Sequence, residues 1–212
     1  MNKDQILGAL NWRYATKKYD SGKKISETDW VILKESLRLS PSSYGLQPWK
    51  FLHVQNPEIR KQLREASWGQ SMIEECSHLV VFTTLKKMTK DHIVKNIQET
   101  AKIRGIEASA LEGYQKFMEK TILARTDEDL KAWNQKQAYI ALGFLLETAA
   151  FLKIDATPIE GFEPAKYDQI LGLDKTEYGS AVVATLGYRH AEDVAQAMKK
   201  SRFSDKDLFQ VI

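Results

Sequence analysis

The sequence predicts an α/β (α+β) fold, a three-layer sandwich with helices on both faces of a central sheet. Three features point to it. The runs H-L-V-V-F-T-T-L (78–85) and S-A-V-V-A-T-L-G-Y-R (180–189) are apolar and rich in β-branched residues, the pattern of strands covered on both faces. The apolar stretch A-Y-I-A-L-G-F-L-L (138–146) is followed at once by Glu147, too short for a membrane span and suited to a buried helix. Short strands, about four or five in all, are interspersed with helical segments, which favours layers over a bundle.

Residues 3–13 have a helical pattern and are closed by the turn Y-D-S-G (19–22). Ser26 with Asp29 forms a cap for an amphipathic helix running through Val31, Leu33, Leu37 and Leu39 to Ser40. The loop P-S-S-Y-G-L-Q-P-W (41–49) leads into a strand at 50–55, and Asn56-Pro57 supplies the cap and first residue of the next helix. Residues 89–121 are helical in pattern, charged and loosely amphipathic. Thr126 with Asp129 caps a long helix reaching about Leu152. T-P-I-E-G-F (157–162) is a turn or short strand, and Pro164 to Leu171, with Gly172 just past its end, is a short helix. The tail F-Q-V-I is strand-like and short of a partner.

The chain has 212 residues, 43% hydrophobic and 28% charged, with no repeat or linker to divide it, so residues 1–212 read as one domain. The single cysteine, Cys76, excludes an internal disulfide framework and suits a reducing cytoplasm. The N-terminus has no long apolar region and reads as a mature helix rather than a signal peptide. A net charge of +3, with lysines scattered among acids, points to neither nucleic acid nor membrane as a partner.

Several chemistries lack their residues. The 11 glycines never fall as G-x-G, and neither G-x-x-x-x-G-K nor G-x-S-x-G occurs, so nucleotide cradles and a nucleophile elbow are unsupported. The 4 histidines (53, 78, 92 and 190) share no metal-ligand spacing. Cys76 and His78 read as core, since nothing nearby orients the imidazole as a base. What remains is R-Y-A-T-K (13–17), the 41–49 loop, T-P-I-E-G-F and K-K-S-R (199–202). Taken singly, each basic cluster reads as solvated surface and each loop as an ordinary turn.

Taken in order, these stretches resemble the FMN-dependent nitroreductase family, in particular its oxygen-insensitive NAD(P)H nitroreductase and dihydropteridine reductase group. The resemblance covers nearly the whole chain, from R-Y-A-T-K-K-Y-D to K-K-S-R, through S-P-S-S-Y-G-L-Q-P-W, E-C-S-H-L-V-V-F, W-N-Q-K-Q-A-Y and P-I-E-G-F. It implies a central mixed sheet in an entwined homodimer, with FMN bound at each subunit interface. It also implies ping-pong transfer of hydride from NAD(P)H to flavin and then to nitroaromatics, quinones or related planar acceptors. Such proteins need no Rossmann domain, in keeping with the missing G-x-G.

By the same resemblance, Arg13, Lys200 and Arg202 clamp the FMN phosphate although they stand at opposite ends of the chain, with Tyr14 and Ala15 beside them. Lys17 is the catalytic residue: a fixed ammonium at the pyrimidine edge favours the reduced, negatively charged flavin. Pro158, Ile159, Glu160 and Gly161 present backbone to the ring, and Gln70 and Gln137 make polar contacts to the ring or ribityl chain. Pro41, Ser42, Ser43 and Gln47 come from the partner subunit, with Trp49 anchoring their loop. Tyr44 and Phe117 face the acceptor. The chain departs from the family's commoner asparagine-then-lysine pattern, having Gly69 or Gln70 and then Met72. A different class of function, a flavin-binding dimer for storage or sensing with little turnover, would have no need of Lys17.

Overall fold

A computed structural model describes residues 2–212. Helix α1 (Lys3–Trp12) opens on a reciprocal cap: the Asn2 side chain accepts from the Gln5 amide, and the Gln5 side chain accepts from the Asn2 amide. Helix α2 (Glu27–Arg38) starts where the Ser26 hydroxyl accepts from the Asp29 amide. Strand β1 (Trp49–Val54) precedes α3 (Pro57–Glu65), whose cap Asn56 accepts from the Glu58 and Ile59 amides. A short α4 (Met72–Glu75) leads into β2 (His78–Leu85).

The stretch with helical pattern at 89–121 is two helices, α5 (Lys90–Arg104) and α6 (Glu112–Ile122). Gly105, at φ 65°, ends the first in the left-handed conformation that glycine adopts without penalty. Thr126 caps the long α7 (Asp127–Phe151), and β3 (Asp155–Ile159), α8 (Pro164–Ile170), β4 (Tyr178–Gly187) and a single turn, α9 (Asp205–Leu208), complete the order.

The strands lie in the order β1-β2-β4-β3, and all three neighbouring pairs are antiparallel. This corrects the expectation of a mixed sheet within one chain. A parallel neighbour would require a further strand, and the strand-like segment at 209–212 lies exposed outside the sheet.

Three layers follow from which faces are apolar. Leu33 and Leu37 of α2 and Ala141 and Leu145 of α7 pack on Val80, Phe82, Val182 and Ala184. On the opposite face, Leu63, Ile73 and Tyr167 cover Leu79, Val81 and Val183. Every residue of β2 is buried, which is why its sequence is continuous rather than alternating. A third cluster joins Ile93 and Ile97 of α5 and Met118 and Ile122 of α6 to Leu85 and Leu46, so the 41–49 loop rests on this helical pair. Burying each such side chain contributes about 1.5–3 kcal/mol.

Cys76 is fully buried, and burial pushes its thiol up to about 11, so it is an inert core residue. His78 stacks on His53 with ring centroids 4.6 Å apart and packs against Trp30. Met72, where a lysine is common in the resembling group, sits in the core beside Leu63 and Ile73. Trp49 is buried against Phe51 and anchors its loop as expected.

Candidate functional site

The two chain ends meet. Arg13, at the C-terminal end of α1, and Lys200 and Arg202, beyond β4, line one cavity of about 480 Å³ together with Trp12, Tyr14, Ala15 and Pro158. The Lys200 ammonium donates to the carbonyls of Leu10 and Arg13, each at 2.5 Å. No carboxylate is among the residues lining the cavity. Burial and the neighbouring Arg202 lower the Arg13 pKa, and burial with Arg13 and Arg202 lowers that of Lys200. The Nε of Arg13 is buried without a hydrogen-bond partner. Four cations, Lys199 with Arg13, Lys200 and Arg202, line a concave surface, and Arg13 keeps a buried donor free. That is the chemistry of an anion site, and a phosphate dianion fits it.

The 13–18 segment lies outside helix and strand, so its amides need partners elsewhere. Asp193, which no motif singled out, provides them: one carboxylate oxygen accepts from the Tyr14 hydroxyl at 3.0 Å and from the amides of Lys17 at 2.8 Å and Lys18 at 3.2 Å. Burial opposes charge on Asp193, yet the Lys17, Ala195 and Lys18 amides and Tyr14 outweigh it and hold the pKa below the ordinary aspartate value. Burial first, then Asp193, pushes Tyr14 up to about 12. The Lys17 side chain itself is exposed.

A second carboxylate supports the same segment. Asp155, 3% exposed, takes two donors from the Arg189 guanidinium and a third from the Thr16 hydroxyl. The guanidinium lies 4.2 Å from the Trp12 ring centroid and 4.5 Å from that of Tyr14, a cation held against two aromatic faces.

Pro158 joins the cationic cavity to a neighbouring one lined by Tyr139, Leu142, Gly143, Leu146 and Glu160. The Glu160 carboxylate accepts from the Tyr139 hydroxyl at 2.5 Å, so it is engaged as scaffold. Ile159 points into the core, leaving only its backbone available to a ligand. The Gln70 side chain donates to the Gly161 carbonyl at 2.7 Å. A Cβ at position 161 would lie 2.9 Å from the Trp68 ring, so any larger residue there must displace that ring. Trp68, the first residue of the W-G-Q stretch (68–70), is 71% exposed and at φ 55°, beside Gly69 at φ 76°. A bulky residue in the left-handed region is visible only in the backbone geometry.

The loop residues assemble separately. The Ser43 amide donates to the Gln137 side chain at 2.8 Å, placing Gln137 with the loop instead of with Gln70. The Ser42 hydroxyl accepts from the Gln47 amide, and Tyr44 (φ 58°) and Gln47 (φ 46°) both take left-handed backbone. His92 and Asn96 of α5 hold the Leu46 and Gly45 carbonyls, each at 2.7 Å. The Tyr44 ring lies 6.2 Å from Phe117 and 6.5 Å from Tyr114, both exposed on α6. Neither Pro41, Ser42, Ser43, Tyr44 nor Gln47 lines the cationic cavity. These residues therefore fall into two separate clusters: a cationic one built from both ends of the chain with Pro158, and an aromatic one built from the loop, Gln137 and α6.

Among the described residues no group of three His, Cys, Asp or Glu could hold a metal ion, and no helix is long and apolar enough to cross a membrane.

Residues 10–188 match the Nitroreductase family. The Bacillus subtilis protein YfkO, provisionally named an NAD(P)H nitroreductase, is 39% identical over 201 residues, covering 88% of this chain and 90% of its own. A Haemophilus influenzae protein of the same provisional name is 37% identical over 210 residues, covering 94% of each chain. Among solved structures, an Exiguobacterium sibiricum protein described as a nitroreductase in complex with FMN superposes with a TM-score of 0.81 at 20% identity, over 100% of this chain and 98% of that one.

Proposed function

The chain belongs to the nitroreductase family, and from that premise we propose that it is an FMN-dependent NAD(P)H oxidoreductase acting by a ping-pong mechanism on nitroaromatics, quinones or related planar acceptors. One observation carries this: Arg13, Lys200 and Arg202 converge on a single cavity while the buried Arg13 Nε lacks an acceptor. A phosphate dianion would relieve the repulsion among the three and satisfy that donor. FMN, when bound, supplies the ring that accepts and returns hydride. The chain's own residues bind and orient it.

Tyr14, Ala15 and the 158–161 backbone form a wall beside the cationic cavity, with Gln70 holding the Gly161 peptide in one orientation. Lys17 is the catalytic group, its ammonium stabilising negative charge at the pyrimidine edge more in the reduced state than in the oxidised one. The separation of the two clusters supports a homodimer in which Pro41, Ser42, Ser43, Gln47 and Gln137 of one subunit complete the cationic site of the other. An exposed apolar stripe, Ile6, Leu7 and Leu10 on α1 with Tyr139, Ile140 and Phe144 on α7, is the surface available for that pairing. Tyr44 and Phe117 would then flank the acceptor. Residues 1–212 act as one FMN-binding unit, and the buried, unpaired Cys76 suits the reducing cytoplasm.

The test is direct. Protein incubated with excess FMN should stay yellow through gel filtration at the mass of two chains. Under argon it should bleach on addition of NADH or NADPH, then recover its colour with a quinone or nitro compound. Yellow protein that does not bleach would be a binding module, and colourless protein would overturn the assignment altogether.

A further inference from the structure

Resting on the FMN reading above, we propose that Asp193 is the positioning residue for Lys17, holding the backbone from which the lysine presents its ammonium to the flavin. Asp193 is 2% exposed and ties the 14–18 segment to the turn after β4, beside the Lys18–Glu192 ion pair. Its other oxygen accepts from the Ala195 amide at 3.0 Å, which locks the carboxylate within its own turn. The two segments also meet where the His190 amide donates to the Lys18 carbonyl at 2.9 Å. Among the described residues no hydrogen bond or ion pair holds the exposed Lys17 side chain, so its backbone is what limits where the ammonium can reach. Only a charge held at a fixed distance stabilises one redox state reliably, because the interaction falls off with separation and a wandering ammonium is replaced by water.

Asp193 also couples the two ends of the site. The same carboxylate that holds Lys17 through its amide holds Tyr14 through its hydroxyl, and Tyr14 lines the cationic cavity beside Arg13. Its role is therefore geometric and exerted through Lys17. No contact between Asp193 and the flavin is needed.

The experiment is a double-mutant cycle on the FMN-loaded protein, reading the equilibrium between bound flavin and a reference dye of known potential. Asp193→Ser keeps an oxygen for the nearby Ala195 amide and is too short to reach those of Lys17 and Lys18. In the wild-type background, Lys17→Ala should shift the equilibrium toward oxidised flavin on the order of tenfold. In the Asp193→Ser background the same substitution should shift it by less than about twofold. The charge of Asp193 acts on the flavin whether or not Lys17 is present, so it cancels in the cycle. Asp193→Asn retains an acceptor oxygen and should preserve most of the Lys17 effect. Equal Lys17 effects in both backgrounds would overturn the proposal, and Asp193→Thr provides the same cycle should the serine variant not fold. Protein that never retains FMN overturns the functional reading instead. FMN-loaded protein without coupling overturns only the role of Asp193.

Discussion

The ammonium of Lys200 lies 2.5 Å from the carbonyl oxygen of Arg13, across 187 residues of chain. With its second bond, to Leu10, it spends two of three N–H groups on the end of α1 and leaves the third for a ligand. The C-terminal segment is thereby pinned beside a guanidinium that repels it, an arrangement that an anion in the cavity would stabilise.

Removing a clamp cation should therefore weaken FMN and spare riboflavin, which lacks the phosphate. Arg13→Ala or Arg202→Ala is expected to lower FMN affinity on the order of 10–100-fold, the worth of one or two charge-assisted hydrogen bonds. Titrating flavin fluorescence with both ligands measures the difference. Equal losses for the two flavins would place the phosphate elsewhere.

Gly161 is crowded by a side chain of its own subunit. Gly161→Ala sets a methyl 2.9 Å from the Trp68 ring and 3.3 Å from the Gln70 amide nitrogen. The ring must move, and because it is 71% exposed the cost should fall at the low end of overpacking, about 1 kcal/mol. Pairing it with Trp68→Ala should recover most of the loss in urea melts followed by far-UV circular dichroism. A double variant no more stable than Gly161→Ala alone would mean that Trp68 is not the obstacle.

Acid should destabilise the protein through the stacked histidines. Burial, then the neighbouring His53 and Arg60, depresses His78 from 6.5 to about 4. The unfolded chain therefore takes up this proton first on acidification. The stability it provides is complete above about pH 6.5 and is lost as pH falls toward about 4. Melting temperature should decline across that window, and His78→Phe, which keeps the stack with Trp30 and His53, should flatten the decline. An unaltered slope in that variant would assign the titration to other groups.

Asp155, buried, and Arg189, partly exposed, form a pair beneath the 13–18 segment, with Nη2 2.6 Å from the carboxylate. Asp155→Ala removes the charged acceptor of these hydrogen bonds and should cost about 1.5–3 kcal/mol by urea unfolding. Replacing both partners with apolar residues should cost less than the single change. The opposite order would show that the pair itself is worth more than its desolvation.

Much of the fold was legible because its signals are local. Ser26, Asn56 and Thr126 announce their helices through side chains that cap backbone amides two or three residues on, and each does so in the structure. The buried strands showed in unbroken apolar runs. The break at Gly105 was written in the chain too, but a lone glycine in a helical pattern is ambiguous until its φ is known. Of the site, the cations and the loops were readable as residue types. Asp193 was not: A-E-D-V-A looks like any solvated turn, and its carboxylate matters only because the first loop of the chain is laid against it.

By itself, the sequence determined which segments coil, which extend and which residues could carry chemistry. Caps, breakers and hydrophobic periods act over a few neighbours and need no knowledge of the rest. Tertiary structure alone decided that the sheet is antiparallel, that Lys200 reaches Arg13, that Gln137 joins Ser43 rather than Gln70, and that Asp193 holds Lys17. Each is a contact between distant residues, closed only when the whole core packs, and no short pattern in the chain names such a partner.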